Sequence, residues 1–121
     1  MNCPCNPNKL YKNCCEIAHK NINLVTSAEQ LMRSRYSAFV LANINYLHKS
    51  HHSKTRLSKK EYKELKQWTQ SVKWIQLEIL LATEENVHFK AYFKENEEVN
   101  IIKENSTFCK ENNHWVYLDA N

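Results

Sequence analysis

The hydrophobic pattern divides the chain into three stretches of different character. Between residues 26 and 70, apolar side chains recur every three or four positions, which is the period of a helix with one buried face. Between residues 72 and 119, apolar and polar residues alternate, which is the period of a half-buried strand. The first 23 residues follow neither pattern and contain four of the five cysteines and both prolines. Helices followed by a run of strands predict an α+β fold in which the helices cover one face of an antiparallel sheet.

Two capping signals mark where the helices are expected to begin. Thr26 with Glu29, and Ser58 with Glu61, have the spacing at which a hydroxyl and a carboxylate satisfy free backbone N–H groups of a first helical turn. The second of these helices is expected to run to about residue 69, and a short helical segment is expected near residues 45–48.

The first long helix carries an arginine on its apolar side. At 100° per residue, Arg35 falls between Leu31 and Phe39 within the apolar stripe. Ser34 and Ser37 are expected to face away from this stripe.

A guanidinium that points inward needs a carboxylate or carbonyl partner, because burying it unpaired is very costly. Glu78 and Glu104, on the predicted strands, are the candidate carboxylates. Arg35 is thus either an internal clamp on a strand or a contact for a ligand.

Four strands are predicted from the alternation. On the first strand, one face is predicted to carry Ile75, Leu77, Ile79 and Leu81. The other strands are expected within residues 87–93, 102–108 and 115–119. The connections near residues 95–98 and 111–113 are short enough for hairpins, which favours an antiparallel sheet.

The chain contains no glycine. This absence excludes the glycine-rich phosphate loops of P-loop and Rossmann nucleotide-binding proteins. Asparagine enters the left-handed backbone region more readily than other residues with a Cβ atom. We therefore expect the Asn112-Asn113 pair and the segment Asn6-Pro7-Asn8 to replace glycine in turns.

Charge and hydropathy limit the classes of partner and location. The formal net charge of +4 permits an acidic partner, such as RNA or a lipid surface, without requiring one. No apolar run is long enough to span a bilayer, and the N-terminus lacks the basic and apolar regions of a signal peptide. We therefore expect a cytoplasmic protein. The sequence does not specify an oligomeric state.

The N-terminal cysteines have the composition of a metal site. Cys3 and Cys5 are separated by one residue, and eight residues then precede Cys14 and Cys15. Disulfides are disfavoured in a reducing compartment, and adjacent cysteines seldom bridge each other without strain. Four thiolates form the closed tetrahedral set of structural zinc, although iron accepts the same ligands. Free or transiently oxidised thiols are the alternative.

Two segments resemble a known family. The segment Cys3–Cys15 resembles the SEC-C motif, a zinc knuckle also found at the C-terminal tail of the preprotein translocase ATPase, although that motif usually has Gly-Ser-Gly where this chain has residues 6–8. The segment Leu31–Phe39 is similar to the signature helix of YchJ-like proteins, which join SEC-C knuckles to a nuclear-transport-factor-2-like domain. Further similar positions, including Glu104-Asn105-Ser106-Thr107-Phe108, extend the resemblance over essentially the whole chain.

The resemblance implies two parts, a metal-binding knuckle over residues 1–23 and a nuclear-transport-factor-2-like domain over residues 24–121. The second part would be cone-shaped, with a curved antiparallel sheet wrapped around helices and a pocket. The family supplies no established reaction. Its knuckle suggests binding to a protein or ribosomal surface, near the secretion machinery by analogy with the translocase tail.

Two functions follow as hypotheses. The first is a non-catalytic binding module whose knuckle contacts a partner through Lys9, Tyr11 and Lys12, a basic and aromatic mixture that suits acidic protein patches and nucleic acid alike. Alternatively, Tyr11 packs against the metal loop and the lysines are only solvated. The second hypothesis is a small-molecule or enzymatic pocket with walls drawn from Arg35, Tyr36, His52, Glu78 and Glu104. A structural ion pair would explain the arginine without catalysis, so the sequence favours the non-catalytic hypothesis.

Overall fold

The computed structural model describes all 121 residues, Met1–Asn121. The helices are α1 (Cys15–Lys20), α2 (Ala28–Val40), α3 (Ile44–Lys49) and α4 (Lys59–Ser71). The strands are β1 (Asn2–Cys3), β2 (Asn6–Leu10), β3 (Lys73–Ala82), β4 (Asn86–Glu95), β5 (Glu98–Glu111) and β6 (His114–Ala120). Single 3-10 turns lie at Tyr11–Asn13 and Ile22–Leu24. The predicted α+β fold class is confirmed.

The long strands form an antiparallel meander in the order β3-β4-β5-β6, and β1 and β2 form a separate two-stranded hairpin. The inward side chains of β4 alternate as predicted, because Val87, Phe89, Ala91 and Phe93 are all buried. None of the helices is long and apolar enough to cross a membrane.

The predicted inward face of β3 is wrong at both ends of the strand, because each end has a β-bulge. Leu77 and Ile79 pack against the core as expected, but Ile75 and Leu81 are 49% and 62% exposed. The pairing of β3 with β4 shifts register near each end of the strand. An extra residue in one strand reverses the faces beyond it, which is why Trp74 packs inward instead.

Helix α2 begins one residue later than predicted. Ser27 is its N-cap, since the Ser27 hydroxyl accepts the backbone N–H of Gln30 at 3.1 Å. Thr26 instead donates its own backbone N–H to the Gln30 side chain at 2.7 Å. The capping box at the start of α4 is present as predicted, with reciprocal hydrogen bonds between Ser58 and Glu61.

Asparagine replaces glycine at one of the two predicted places. Asn112 and Asn113, in the turn between β5 and β6, have φ angles of 54° and 67°. Asn6 and Asn8 are not among the residues with positive φ, so that prediction is wrong. Both residues lie in β2, where the Asn6 side chain accepts the backbone N–H of Asn8 at 3.0 Å, and the turn that precedes this strand lies at residues 4–5.

One hydrophobic cluster of 18 buried residues joins the N-terminal segment to the α+β domain. It includes Cys3, Cys5 and Cys15 together with Leu31 of α2 and Phe108 of β5. The knuckle therefore shares the core of the domain, with α2 lying between the cysteines and the sheet. The boundary at residues 23 and 24 stays a prediction.

Candidate metal centre

The four N-terminal cysteines come from three short elements. Cys3 ends β1, and Cys5 lies in the turn that leads to β2. Cys14 precedes α1, and Cys15 is the first residue of that helix. Cys3, Cys5 and Cys15 are buried, and Cys14 is half-buried. The hairpin and α1 thus face each other with all four thiols between them.

The sulfur positions fit a tetrahedral metal site. The Sγ atom of Cys5 lies 3.7 Å from that of Cys3, 3.6 Å from that of Cys14 and 3.5 Å from that of Cys15. All four Sγ atoms lie within 4.8 Å of one another. Four sulfurs about 2.3 Å from a central zinc would be separated by roughly 3.8 Å, whereas a disulfide requires about 2.05 Å. The cluster can hold a metal ion, and its cysteines are free.

Electrostatics shows why the thiols would favour a cation. Hydrogen bonding from the Cys15 thiol lowers the pKa of Cys5 to about 5, and the same contact raises the pKa of Cys15. Burial raises the pKa of Cys14 to about 11. One thiolate therefore suppresses ionisation of its neighbours. A divalent cation among the sulfurs would relieve that repulsion and release protons, so its affinity would increase with pH.

Helix α2 supports the cluster from outside. The Arg33 guanidinium donates to the Cys5 carbonyl oxygen at 3.2 Å and forms an ion pair with Glu29 at 3.0 Å. The Ser37 hydroxyl lies 3.6 Å from the Cys3 sulfur. Ser34 and Ser37 are both fully buried, so their predicted outward orientation is wrong.

The knuckle covers the face of α2 that the helical pattern assigned to solvent. Sequence reasoning missed Arg33 and Ser37 for this reason. The only signal was the presence of two small serines on one face, which permit close approach.

A histidine links the knuckle loop to α2. The His19 Nε2 atom lies 2.8 Å from the Ser34 carbonyl oxygen, and Nδ1 lies 2.6 Å from the Tyr11 hydroxyl. A carbonyl can only accept, so Nε2 carries the proton and Tyr11 donates to Nδ1. Burial lowers the pKa of His19, which is consistent with a neutral ring. The Tyr11 hydroxyl is thus engaged internally, while Lys9 and Lys12 are exposed.

Arg35 is buried, but its partners are not carboxylates. Its Nη1 atom donates to the Leu47 carbonyl oxygen at 3.0 Å and to the Ser50 hydroxyl at 2.7 Å. The predicted pairing with Glu78 or Glu104 is therefore wrong, and the expectation of a carbonyl partner is correct. Leu47 lies in the last turn of α3, where carbonyl groups lack helical partners and the helix dipole is negative.

Three of the five predicted pocket residues line a cavity, and the other two, Glu78 and His52, do not. Arg35 and Glu104 line one cavity beneath α2, and Tyr36 and Glu104 line an adjoining one. Glu78 lies on the exposed face of β3, where it accepts a hydrogen bond from Tyr92 at 2.8 Å. Alternation along β3 between the two bulges places Glu78 opposite the inward-facing residues, so it is not a wall of the cavity.

His52 also lies outside the cavity. Its Nε2 atom is 3.5 Å from the Glu111 carboxylate, and its backbone N–H donates to Tyr117 at 2.8 Å. His51 lines the cavity instead and lies 3.2 Å from the Tyr62 hydroxyl. The sequence offered no signal for choosing between two adjacent histidines, because no periodic element contains them.

The chain is similar to known proteins over essentially its whole length. Residues 27–120 match the family model of the middle, NTF2-like domain of YchJ. A UPF0225 protein of Vibrio parahaemolyticus is 41% identical over 98% of this chain and 73% of its own length. A UPF0225 protein of Shewanella sp. strain MR-4 is 39% identical over 96% of this chain and 77% of its own length.

Two solved structures are similar to this one, and both are described as SEC-C motif containing proteins. The protein from Psychrobacter arcticus has a TM-score of 0.79 and 32% identity, covering 98% of this chain and 81% of that chain. The protein from Rhodopseudomonas palustris has a TM-score of 0.81 and 25% identity, covering 100% of this chain and 98% of that chain.

Proposed function

Since the chain belongs to the YchJ-like UPF0225 family of SEC-C motif proteins, we propose that it is a zinc-binding, non-catalytic module whose knuckle contacts a protein or ribosome-associated partner in the cytoplasm. The observation that carries this proposal is the set of four thiols at tetrahedral spacing, three of them buried. Such thiols stay reduced in the cytosol, where disulfides are rare.

Zinc is the metal that we propose. It accepts four thiolates in tetrahedral geometry and carries no redox chemistry, whereas iron would use the same ligands and add redox activity. Four protein ligands leave no position for a catalytic water, so the ion would be structural. It would hold the hairpin and α1 together against α2.

Metal analysis tests this identity. After anaerobic purification, elemental analysis should find about one zinc per chain, and Cys14→Ser should lose it because three thiolates bind zinc more weakly. Cys109→Ser is the matched control, since Cys109 lies on β5 outside the cluster. Iron in place of zinc would contradict the metal assignment, and no metal at all would contradict the knuckle.

The partner contact would come from the exposed lysines of the knuckle. Lys9 lies on β2 and Lys12 in the following 3-10 turn, and both side chains are exposed. Tyr11, between them, would contribute its ring rather than its hydroxyl, because the hydroxyl contacts His19. Two cations on a rigid loop suit an acidic surface, which ribosomes, acidic proteins and nucleic acid all provide.

Sedimentation with purified ribosomes tests the partner. We expect the wild-type chain to co-sediment at low salt, and the double substitution Lys9→Glu, Lys12→Glu to reduce the bound fraction strongly by reversing the charge. Lys63→Glu with Lys66→Glu on α4 is the control, because it makes the same change of net charge elsewhere. Equal loss in both pairs would indicate non-specific attraction, and no co-sedimentation would exclude the ribosome as partner.

A further inference from the structure

Outside the cysteine cluster, the main candidate for a ligand site is the cavity beneath α2. It has a volume of about 280 Å³, and Arg35, Glu104 and Tyr117 form part of its lining. An adjoining cavity of about 120 Å³ shares Glu104 and is otherwise lined by apolar side chains, including Trp68 and Trp74. The two cavities together place opposite charges among aromatic rings, which is the composition of a site for a small organic molecule.

The positive charge in this cavity has no carboxylate within 4.0 Å. Arg35 is only 7% exposed, and it takes part in no ion pair. Its hydrogen bonds both leave from Nη1 and reach the neutral acceptors Leu47 and Ser50. The guanidinium carbon also lies 4.8 Å from the centroid of the Tyr117 ring. Neutral partners compensate only part of the cost of burying a charge, and Nε and Nη2 form no hydrogen bond within the chain.

The negative charge in the cavity is equally without a partner. Glu104 is half-buried on β5 and lines both cavities. Its carboxylate forms no ion pair within 4.0 Å. A ligand that approached Arg35 with an anion alone would be repelled by Glu104. A ligand that also carried a hydrogen-bond donor would satisfy both groups.

We propose that this cavity binds a small aromatic carboxylate that bears a hydroxyl or amino group. The ligand carboxylate accepts hydrogen bonds from Arg35, its hydroxyl or amino group donates to Glu104, and its ring lies between Phe39 and Phe89, which line both cavities. The volume of about 280 Å³ accommodates a single ring with short substituents. The proposal does not depend on the metal or on the partner of the knuckle.

Ligand titration followed by NMR tests the proposal in the wild-type protein. The probes are 4-hydroxybenzoate, 4-hydroxyphenylacetate and 3-(4-hydroxyphenyl)propionate, which vary the distance between carboxylate and hydroxyl. At least one should give saturable shifts of the Trp68 and Trp74 indole N–H signals below about 10 mM. The matching amide should bind at least about tenfold more weakly, because it offers Arg35 no charge. Intermolecular nuclear Overhauser effects should connect the ligand ring to Phe89.

Substitutions locate the charge that recognises the acid. Arg35→Met should abolish the preference for acid over amide, whereas Glu78→Gln, on the outer face of the sheet, should leave it unchanged. Should Arg35→Met fail to fold, the acid-to-amide ratio and the Overhauser contacts in the wild-type chain decide alone. Equal binding of acid and amide, contacts elsewhere on the surface, or no saturation by any probe would each overturn the proposal.

Discussion

The knuckle and the cavity are two regions of one core that handle buried polar groups differently. In the knuckle, four thiols lie within 4.8 Å of one another, so a single cation can neutralise all of them. In the cavity, Arg35 contacts a carbonyl and a hydroxyl and has no opposite charge beside it. The knuckle is complete once a metal is present. The cavity keeps an unneutralised charge, and this contrast is the basis for proposing a structural metal site in the knuckle and a ligand site in the cavity.

Removing the metal should have the largest effect on stability. Cys15→Ala eliminates a buried ligand that also belongs to the common core, so we expect loss of metal and a fall in unfolding free energy of more than about 3 kcal/mol. Thermal unfolding followed by circular dichroism, combined with elemental analysis, measures both. Because α2 packs between the knuckle and the sheet, the whole domain should unfold at the lower temperature.

Cys109→Ala is the control for that experiment. Cys109 is half-buried on β5 and lies outside the four-thiol cluster, so metal content should not change. If Cys15→Ala lost the metal without lowering the unfolding temperature of the domain, the knuckle would be an independent appendage. Its contacts with the common core would then not contribute to the stability of the domain.

Replacing Arg35 should have the next largest effect. Arg35→Met leaves the buried Leu47 carbonyl and Ser50 hydroxyl without their donor, which costs about 2–3 kcal/mol even though a buried charge is removed. Arg33→Met, two residues away, removes a half-exposed ion pair with Glu29 and a hydrogen bond to the Cys5 carbonyl, and should cost less, about 1–1.5 kcal/mol. Urea unfolding with metal content monitored measures both variants.

A stabilising effect of Arg35→Met would contradict that expectation. It would mean that the unneutralised charge costs more than its hydrogen bonds contribute. That outcome would strengthen the contrast with the knuckle, because the charge would then be retained against stability.

The same contrast explains what the sequence could predict. The four clustered cysteines lie within thirteen residues, so their spacing alone predicted a candidate metal site. The β4 pattern and the capping box at Ser58 could also be predicted, because each depends on local periodicity or on neighbours in the chain. The sequence could not identify the partner of Arg35, because that partner is a backbone carbonyl in the last turn of α3, and every residue has a carbonyl.

The errors share a cause in tertiary context. The bulges of β3 moved Ile75 and Leu81 to the exposed face, although the alternation of the sequence is unbroken. Ser34 and Ser37 were predicted to face solvent, because nothing in the helical pattern shows that the knuckle covers this face of α2. His52 was assigned to the cavity in place of His51, since a loop has no period from which to infer direction.

The pH dependence of stability should show a smaller effect from the cavity. Burial lowers the pKa of His51 to about 4, and the positive charges of Arg35 and Arg56 act in the same direction. The folded-state pKa thus lies below the unfolded value near 6.5, so the unfolded chain binds more protons at acidic pH. Stability should fall as the pH decreases from about 6.5 to about 4, with a His51 contribution of about 1–2 kcal/mol after allowance for solvent screening.

His51→Asn tests this assignment by flattening the pH profile. His88→Gln, on the face of β4 opposite the buried residues, is the control and should leave the wild-type slope. Metal content must be equal in the chains compared at each pH, because protonation of thiolates releases metal. An unchanged slope in His51→Asn would show that another group titrates in this range.

The smallest expected effect on the free energy of unfolding comes from removing one hydrogen bond in each region. Tyr11 donates to His19 in the knuckle at 2.6 Å, and the Tyr62 hydroxyl lies 3.2 Å from His51 in the cavity. Tyr11→Phe should cost about 1 kcal/mol without loss of metal, and Tyr62→Phe about 0.5 kcal/mol, because the longer contact is weaker and the cavity beside it admits water as a substitute partner. Urea unfolding of both variants measures the difference. A larger cost for Tyr62→Phe would show that the cavity is as closely constrained as the knuckle, and the comparison between a completed site and an open one would fail.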